Sequence, residues 1–434
     1  MPVDWEPGRR GAWAEIDLSA IRNNASLLAG IVSPSMLCAV VKANAYGHGA
    51  REVAAAALDG GARWLAVAFG EEALEIRESI TDAPILLLQE MSAGTSLHEI
   101  RELLELGIVP TVYSAEGIER IGRVGQSMDR RVDVHLKVDT GMHRVGADIK
   151  MLDSVMGLIT RFPSLRVAGL WSHLAVADGG YGEDAEFTGQ QLGALKDAYG
   201  RFVQLGESPA ILHLANSAGA IAYPATRLDM VRCGISIYGE LPSEMVAGKL
   251  AEHADAQMQV AEEGGSVAQI GSVARAGDCA DGSRLPAVPS QLIPALSLKA
   301  RVSYVHELEE GERLSYGRHY SLNRRSIIAT VPLGYADGLA RGMFRPGRNV
   351  DEGTNGYVLL RGERRPIAGT VTMDQTLVDC GSDTSVSVGD EVVIIGEQGD
   401  DRITASEVAA KLGTISYEVF CGISSRIPRV YLNE

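Results

Sequence analysis

The chain is poor in several features, and each shortage closes off a class of function. Only five cysteines, Cys38, Cys233, Cys279, Cys380 and Cys421, are spread over 434 residues. Their number is odd and no two are spaced C-x-x-C, which argues against a disulfide framework and against a zinc knuckle. No uninterrupted apolar run approaches the ~20 residues that a membrane-spanning helix needs. Basic residues are outnumbered, 40 Lys and Arg against 56 Asp and Glu, for a net charge of −16. With no Lys/Arg-rich block, such a chain is poorly suited to clamping nucleic-acid phosphates or an anionic membrane surface. The first residues run straight into the alternating Ala14-Glu15-Ile16-Asp17-Leu18, without the apolar stretch of a secretory signal. The expectation is a soluble protein of the reduced cytoplasm with no nucleic-acid or membrane partner.

What the chain does have is repetition. From residue 36 to about 235, short apolar, β-branched runs recur, separated by stretches of helical composition such as Ala73-Leu-Glu-Ile-Arg-Glu. The runs are Met36–Lys42, Trp64–Phe69, Ile85–Gln89, Val109–Tyr113, Val132–Val138, Val167–Ser172, Ile211–Ala215 and Asp229–Arg232. Eight βα units point to an α/β fold of the (β/α)8 barrel type; a doubly wound open sheet can be written from the same alternation but more often uses five or six strands. The expected organisation is an N-terminal extension over 1–12 and a barrel over 13–240. An exposed insertion or linker, Ala/Gly/Glu/Ser-rich and without a core period, follows over 245–290, and then a mostly β C-terminal domain over 291–434. Its strands are expected at Leu296–Val305, Ile327–Pro332, Tyr357–Leu360, Leu377–Asp379 and Glu391–Ile395. The first strand, Trp13–Leu18, is placed either with the barrel or with that second domain.

Barrel enzymes work at the C-terminal ends of their strands, so the residues just past each run are the ones to inspect. The first run ends in Lys42. A lysine there is either a desolvated amine, with the lowered pKa of a nucleophile or Schiff-base former, or one that has snorkelled to the rim. The seventh and eighth runs end in Asn216-Ser217-Ala218-Gly219 and Arg232-Cys233-Gly234-Ile235-Ser236, small and hydroxyl residues of the kind that cradle a phosphate with backbone N–H groups. An amine and a phosphate cradle on one barrel mouth suggest pyridoxal phosphate, whose aldehyde needs the first and whose phosphate needs the second.

Val41-Lys42-Ala43-Asn44-Ala45-Tyr46-Gly47-His48-Gly49 resembles the cofactor-lysine signature of the alanine racemase family, pyridoxal-phosphate enzymes with a barrel followed by a β domain. Further blocks in matching order are Lys137–Gly146, Ser172–Asp178, Asn216-Ser217, Arg232–Gly239, Ser315-Tyr316-Gly317, Gly334–Gly338, Val371–Gln375 and Thr414–Tyr417. The resemblance covers nearly the whole chain outside 245–290.

That resemblance implies roles. Lys42 would carry the cofactor and act as one catalytic base, with Tyr316, reaching in from the partner subunit of a homodimer, as the other. Inverting an α-carbon requires an acid and a base on opposite faces. Arg232 would face the pyridine nitrogen, and His173 would link Arg232 to Tyr316. Tyr46, Ser217, Gly234, Ile235 and Tyr417 would hold the phosphate, with Asn216 supporting the loop. Arg144 would sit by the cofactor oxygen and the substrate carboxylate, and Lys137 stands where many members carry a carbamylated lysine. Met373 would contact the substrate carboxylate, and Tyr335 would narrow the entrance. Outside this context, Tyr316 reads as an ordinary turn aromatic and His173 as a structural histidine.

Two departures stand out: His143 occupies a position where many members have glycine, and Thr372 one where many have cysteine. Tyr417 is retained near the substrate side chain, where some relatives acting on larger amino acids have a smaller residue, so alanine is favoured over serine or broad-range substrates. A pyridoxal-phosphate decarboxylase of related fold would not need Tyr316, and a non-catalytic cofactor carrier would give 296–434 no reason to match racemase blocks.

Overall fold

The computed structural model describes residues 10–91, 94–262, 291–345 and 355–433. It divides into two compact units: Ser19–Ala45 with Ala50–Pro294, and the N-terminal segment through Leu18 with Tyr46–Gly49 and the chain from Ala295 onward.

The first unit is a closed barrel of eight parallel strands. After the short N-terminal strand β1 (Ala12–Asp17), which belongs to the other unit, come β2 (Met36–Val40), β3 (Trp64–Val67), β4 (Ile85–Leu87), β5 (Ile108–Val112), β6 (Val132–Asp139), β7 (Leu165–Trp171), β8 (Ile211–His213) and β9 (Met230–Cys233). Parallel pairing runs around the ring, β2 meets β9 through Met36 and Met230, and β5 meets β6 through Thr111 and His135. That last pairing closes the sheet and rules out the open doubly wound alternative. Each strand is covered on both faces, which is why it reads as an unbroken apolar run rather than an alternating one. Leu65, Ala66, Val67, Ile85 and Leu86 are all fully buried, and an aliphatic side chain so buried contributes about 1.5–3 kcal/mol. Side-chain caps start the intervening helices: Ser96 accepts from the Glu99 N–H and Ser114 from the Gly117 N–H, each worth about 1 kcal/mol.

The expected linker over 245–290 is corrected in its first part. Glu244–Glu262 is a helix, and Val246 and Leu250 on it are buried. The segment is built from helix formers whose few apolar residues are too sparse to register as a core period. The rest of that expected insertion, 263–290, and most of the N-terminal extension lie outside the described residues.

The second unit is mostly strand. β1 alternates buried and half-buried residues, pairs antiparallel with Leu296–Arg301 and parallel with Arg429–Leu432, and so joins this sheet. The expected single strand Leu296–Val305 is two, Leu296–Arg301 and Tyr304–Leu308, lying in different sheets. The chain crosses between them at consecutive residues: the Val302 N–H bonds to Asp390 and the Ser303 N–H to Thr330. Two short helices, Ala405–Leu412 and Ser416–Cys421, complete the unit.

Candidate active site

At the C-terminal end of β2 the chain turns in an unusual way. Lys42 is half-buried, and the residues after it, Ala43, Asn44, Ala45 and Tyr46, all have φ of 52–53°. A run of left-handed, non-glycine residues costs roughly 1–2 kcal/mol each, so this turn has to be held by its surroundings. One tie is the Asn44 side chain, which accepts from the Ala50 N–H at 2.8 Å.

On β9, Arg232 is buried in the barrel and makes four hydrogen bonds. Its Nη1 donates to His213 Nδ1 at 2.8 Å, and its Nη2 reaches the Ser172 carbonyl at 2.8 Å, His173 Nδ1 at 3.2 Å and the Leu214 carbonyl at 3.1 Å. Burial lowers its pKa to about 10, so the guanidinium stays charged at neutral pH. A guanidinium only donates, which fixes the tautomers around it. His173 accepts at Nδ1 and keeps a hydrogen on Nε2. His213 also accepts at Nδ1, so its Nε2–H donates to His135 Nδ1 at 2.9 Å, and His135 in turn carries its hydrogen on Nε2, a buried atom without a partner among the described residues. All three imidazoles are held neutral: burial first, then the Arg232 charge, push His173 and His213 far below the ordinary range, and burial takes His135 to about 3. The His213 ring stacks on Trp171 at 5.5 Å.

Lys137 on β6 is 5% exposed, and its Nζ lies 4.5 Å from the centre of the Trp171 ring, as does the Arg232 guanidinium carbon. Burial, with Arg232 and Arg144 next, lowers its pKa to about 8. Beyond it the chain loops back on Asp139, which accepts from the Gly141 and His143 N–H groups and lies 3.0 Å from His143 Nδ1. His143 has φ 55°, the left-handed region that suits glycine; the Asp139 contacts hold a bulkier residue there. Arg144 is exposed.

After β8 and β9 the polar groups converge. Asn216 caps the helix Ser217–Ala222 by accepting from the Gly219 N–H. The Ser217 hydroxyl accepts from the Gly234 N–H at 3.0 Å and is hydrogen-bonded with the Cys233 thiol. Ile235 opens a short 3-10 helix, and the buried Ser236 hydroxyl beside it has no partner among the described residues. The Ser217 hydroxyl and the leading N–H groups of two helical turns make a donor set suited to a phosphate. Gln191, fully buried, braces this end of the barrel by bonding the His173 carbonyl, the Ala175 N–H and Thr140.

The second unit holds the other expected residues. Tyr46 and Tyr417 face each other with ring centres 5.9 Å apart, and burial, with Tyr417 next, raises the Tyr46 pKa. Tyr316, Met373 and Tyr335 are 74%, 52% and 44% exposed. Their loops are tied together: Thr370 donates to the Tyr316 carbonyl at 2.9 Å, the Tyr335 N–H to Thr372 at 3.0 Å and the Ala336 N–H to Met373 at 3.1 Å. Three large side chains are thus presented to the surface by one cross-linked set of loops.

The barrel therefore brings Lys137, His173, Ser217, Arg232, Gly234 and Ile235 into one connected neighbourhood, and the second unit brings together Tyr316, Tyr335 and Met373 and, separately, Tyr46 and Tyr417. Sequence reasoning missed His135, His213 and Gln191. Histidines inside apolar barrel strands were the available signal for the first two.

Known proteins match the chain end to end. The family model described as alanine racemase, N-terminal domain, matches residues 16–242, and that for the C-terminal domain matches 295–431. The alanine racemase of Symbiobacterium thermophilum is 39% identical over 427 residues, 98% of each chain. That of Methanococcus maripaludis is 36% identical over 97% of this chain and 98% of its own. Among solved structures, the alanine racemase of Streptomyces lavendulae superposes with a TM-score of 0.80 at 33% identity, covering 99% of this chain and 98% of its own.

Proposed function

The chain belongs to the alanine racemase family, and from that membership we propose that it interconverts L-alanine and D-alanine with pyridoxal phosphate as cofactor. We assign it to the cytoplasm, as a homodimer with composite sites supplying D-alanine for peptidoglycan. No helix among the described residues is long and apolar enough to cross a membrane.

The observation that carries this reading is the setting of Arg232 and His173. The donor set after β8 and β9 fits the phosphate, which Ser217, Gly234 and Ile235 would hold, with Tyr46 and Tyr417 assigned the remaining contacts and Asn216 the support of the loop. Pyridoxal phosphate, when bound, withdraws electrons from the amino acid and acidifies its α-hydrogen. Lys42 and Tyr316 then exchange that proton with the two faces of the α-carbon, one accepting through Nζ or the phenolic oxygen while the other donates, in either direction. Arg232 holds its own proton firmly, so it offers the pyridine nitrogen a hydrogen bond and no proton. An unprotonated pyridine nitrogen would pull less strongly on the electrons, so the Arg232 contact would favour prompt return of the proton to the α-carbon, hence racemisation over transamination. His173, neutral with its hydrogen on Nε2, is the donor assigned to the Tyr316 oxygen, where it favours the deprotonated phenol. Arg144 and the Met373 N–H bind the substrate carboxylate, and Tyr335 narrows the entrance. Lys137, with a pKa of about 8, presents enough neutral amine to take up carbon dioxide and become an anion beside Arg144.

Mixing inactive Lys42→Ala and Tyr316→Phe chains tests this assignment. Each alone should bind cofactor phosphate and lack turnover, and exchanged heterodimers should regain one working site. No recovery despite demonstrated subunit exchange contradicts the composite site.

A further inference from the structure

The strained turn after Lys42 is held by a carboxylate from the neighbouring βα unit. Glu72, half-buried in the first turn of the helix Gly70–Arg77, accepts from the Ala43 N–H through Oε1 at 2.6 Å. Its other oxygen, Oε2, accepts from the Ala68 and Phe69 N–H groups at 2.7 and 3.1 Å. One side chain thus ties the residue directly after Lys42 to the end of β3 and the start of the next helix. The bond to Ala43 is charge-assisted and falls on the first left-handed residue, where the chain leaves β2 and the direction of the Lys42 side chain is set. The two halves of the carboxylate do different work. The Ala68 and Phe69 bonds reach back from the third helical residue to the N–H groups that precede the helix, the local task of a capping box. The Ala43 bond is long-range and holds a backbone conformation that Ala, Asn and Ala do not adopt unaided.

We propose that Glu72 is a positioning residue for the reaction: by latching the left-handed turn to β3 and its helix, its carboxylate aims the Lys42 amine. This rests on the assignment of Lys42 as the cofactor lysine.

Glu72→Asp separates the two tasks, because a side chain one methylene shorter, by about 1.5 Å, still reaches the adjacent cap N–H groups but cannot also span to Ala43. Purified holoenzyme is compared with Glu72→Asp, Glu72→Ala and, as a control on exposed charge, Glu71→Gln. The readouts are thermal midpoint, cofactor content, the mass increment fixed at Lys42 by borohydride, and kcat and KM for alanine. For Glu72→Asp the expected result is a midpoint within about 3 °C of wild type. Less of the bound cofactor is fixed to Lys42, and kcat falls about a hundredfold with KM within about threefold, the size of effect that a 1 Å misplacement produces. Should that chain fail to fold, Glu72→Gln, of unchanged length but with one acceptor oxygen for the two sides, is expected to show the same losses to a smaller degree. Glu72→Asp or Glu72→Gln chains that fold and keep wild-type kcat and wild-type Lys42 labelling overturn the proposal, leaving Glu72 a helix cap. A wild-type enzyme that shows no borohydride-fixed increment at Lys42 overturns instead the reading of Lys42 on which the proposal rests.

Discussion

Lowering the pH from 7.5 to 5.5 should destabilise the barrel by an amount set by three histidines. His135, His173 and His213 are each buried and neutral, whereas in the unfolded chain each titrates near 6.5. The folded-state pKa lies below the unfolded one, so the unfolded chain binds protons first. The stability these groups confer is intact above about pH 6.5 and is lost as pH falls through it, the loss continuing down to about 3 for His135. Between pH 7.5 and 5.5 each imidazole removes about 1.4 kcal/mol, and the three together about 4 kcal/mol. Arg232, at about 10, stays charged throughout and adds nothing to the slope. Urea unfolding followed by tryptophan fluorescence reports on this region directly, since Trp171 stacks on His213 and Trp64 lies 5.4 Å from His135. Replacing one imidazole should remove its share: in His135→Asn, which keeps an acceptor and does not titrate, the loss should shrink to about 3 kcal/mol. A barrel equally stable at the two pH values, or a His135→Asn variant with the full wild-type slope, would refute the assignment of neutral, buried imidazoles.

Three further outcomes are expected. With a pKa of about 8, roughly a quarter of Lys137 is neutral at pH 7.5, against about a thousandth for an ordinary lysine. Carbon-13 NMR in labelled bicarbonate should therefore show a carbamate that strengthens as pH rises through 8 and vanishes in Lys137→Met; a signal unaffected by that substitution contradicts the site. Gly169→Ala places a methyl group 2.6 Å from the His135 ring at Nδ1, and should cost about 1–3 kcal/mol of stability in a thermal melt; an unchanged midpoint would mean the histidine pair yields freely. Tyr417→Ala should raise the rate with lysine relative to alanine in a coupled assay, and unchanged relative rates would separate Tyr417 from substrate selection.

The barrel was legible in the sequence because a strand covered on both faces leaves a continuous apolar run, and all eight runs coincide with strands. The same signal failed at Leu296–Val305, where the pattern continues while the backbone passes from one sheet to another at Val302 and Ser303. A change of hydrogen-bonding partner leaves no trace in hydrophobicity. It failed also at 244–262, where helix formers without a regular apolar stripe build a helix. Most residues of the candidate site were visible because they follow strand ends, or because motif blocks carry them. The buried supports were not. His135 and His213 sit inside apolar runs rather than after them, Gln191 reaches its partners from the middle of a long helix, and Glu72 looks like one acidic residue among several on a helix's first turn. The left-handed turn after Lys42 contains no glycine before Gly47 to announce it, since contacts distant in sequence enforce it.

The most direct test of two-base racemisation is incubation of the holoenzyme with L-alanine in deuterium oxide, following both enantiomers and the isotope at the α-carbon. The expected product is D-alanine carrying deuterium at that carbon, formed by wild type and lost in Lys42→Ala and in Tyr316→Phe. Cofactor-loaded protein that yields neither D-alanine nor exchange at the α-carbon would contradict it.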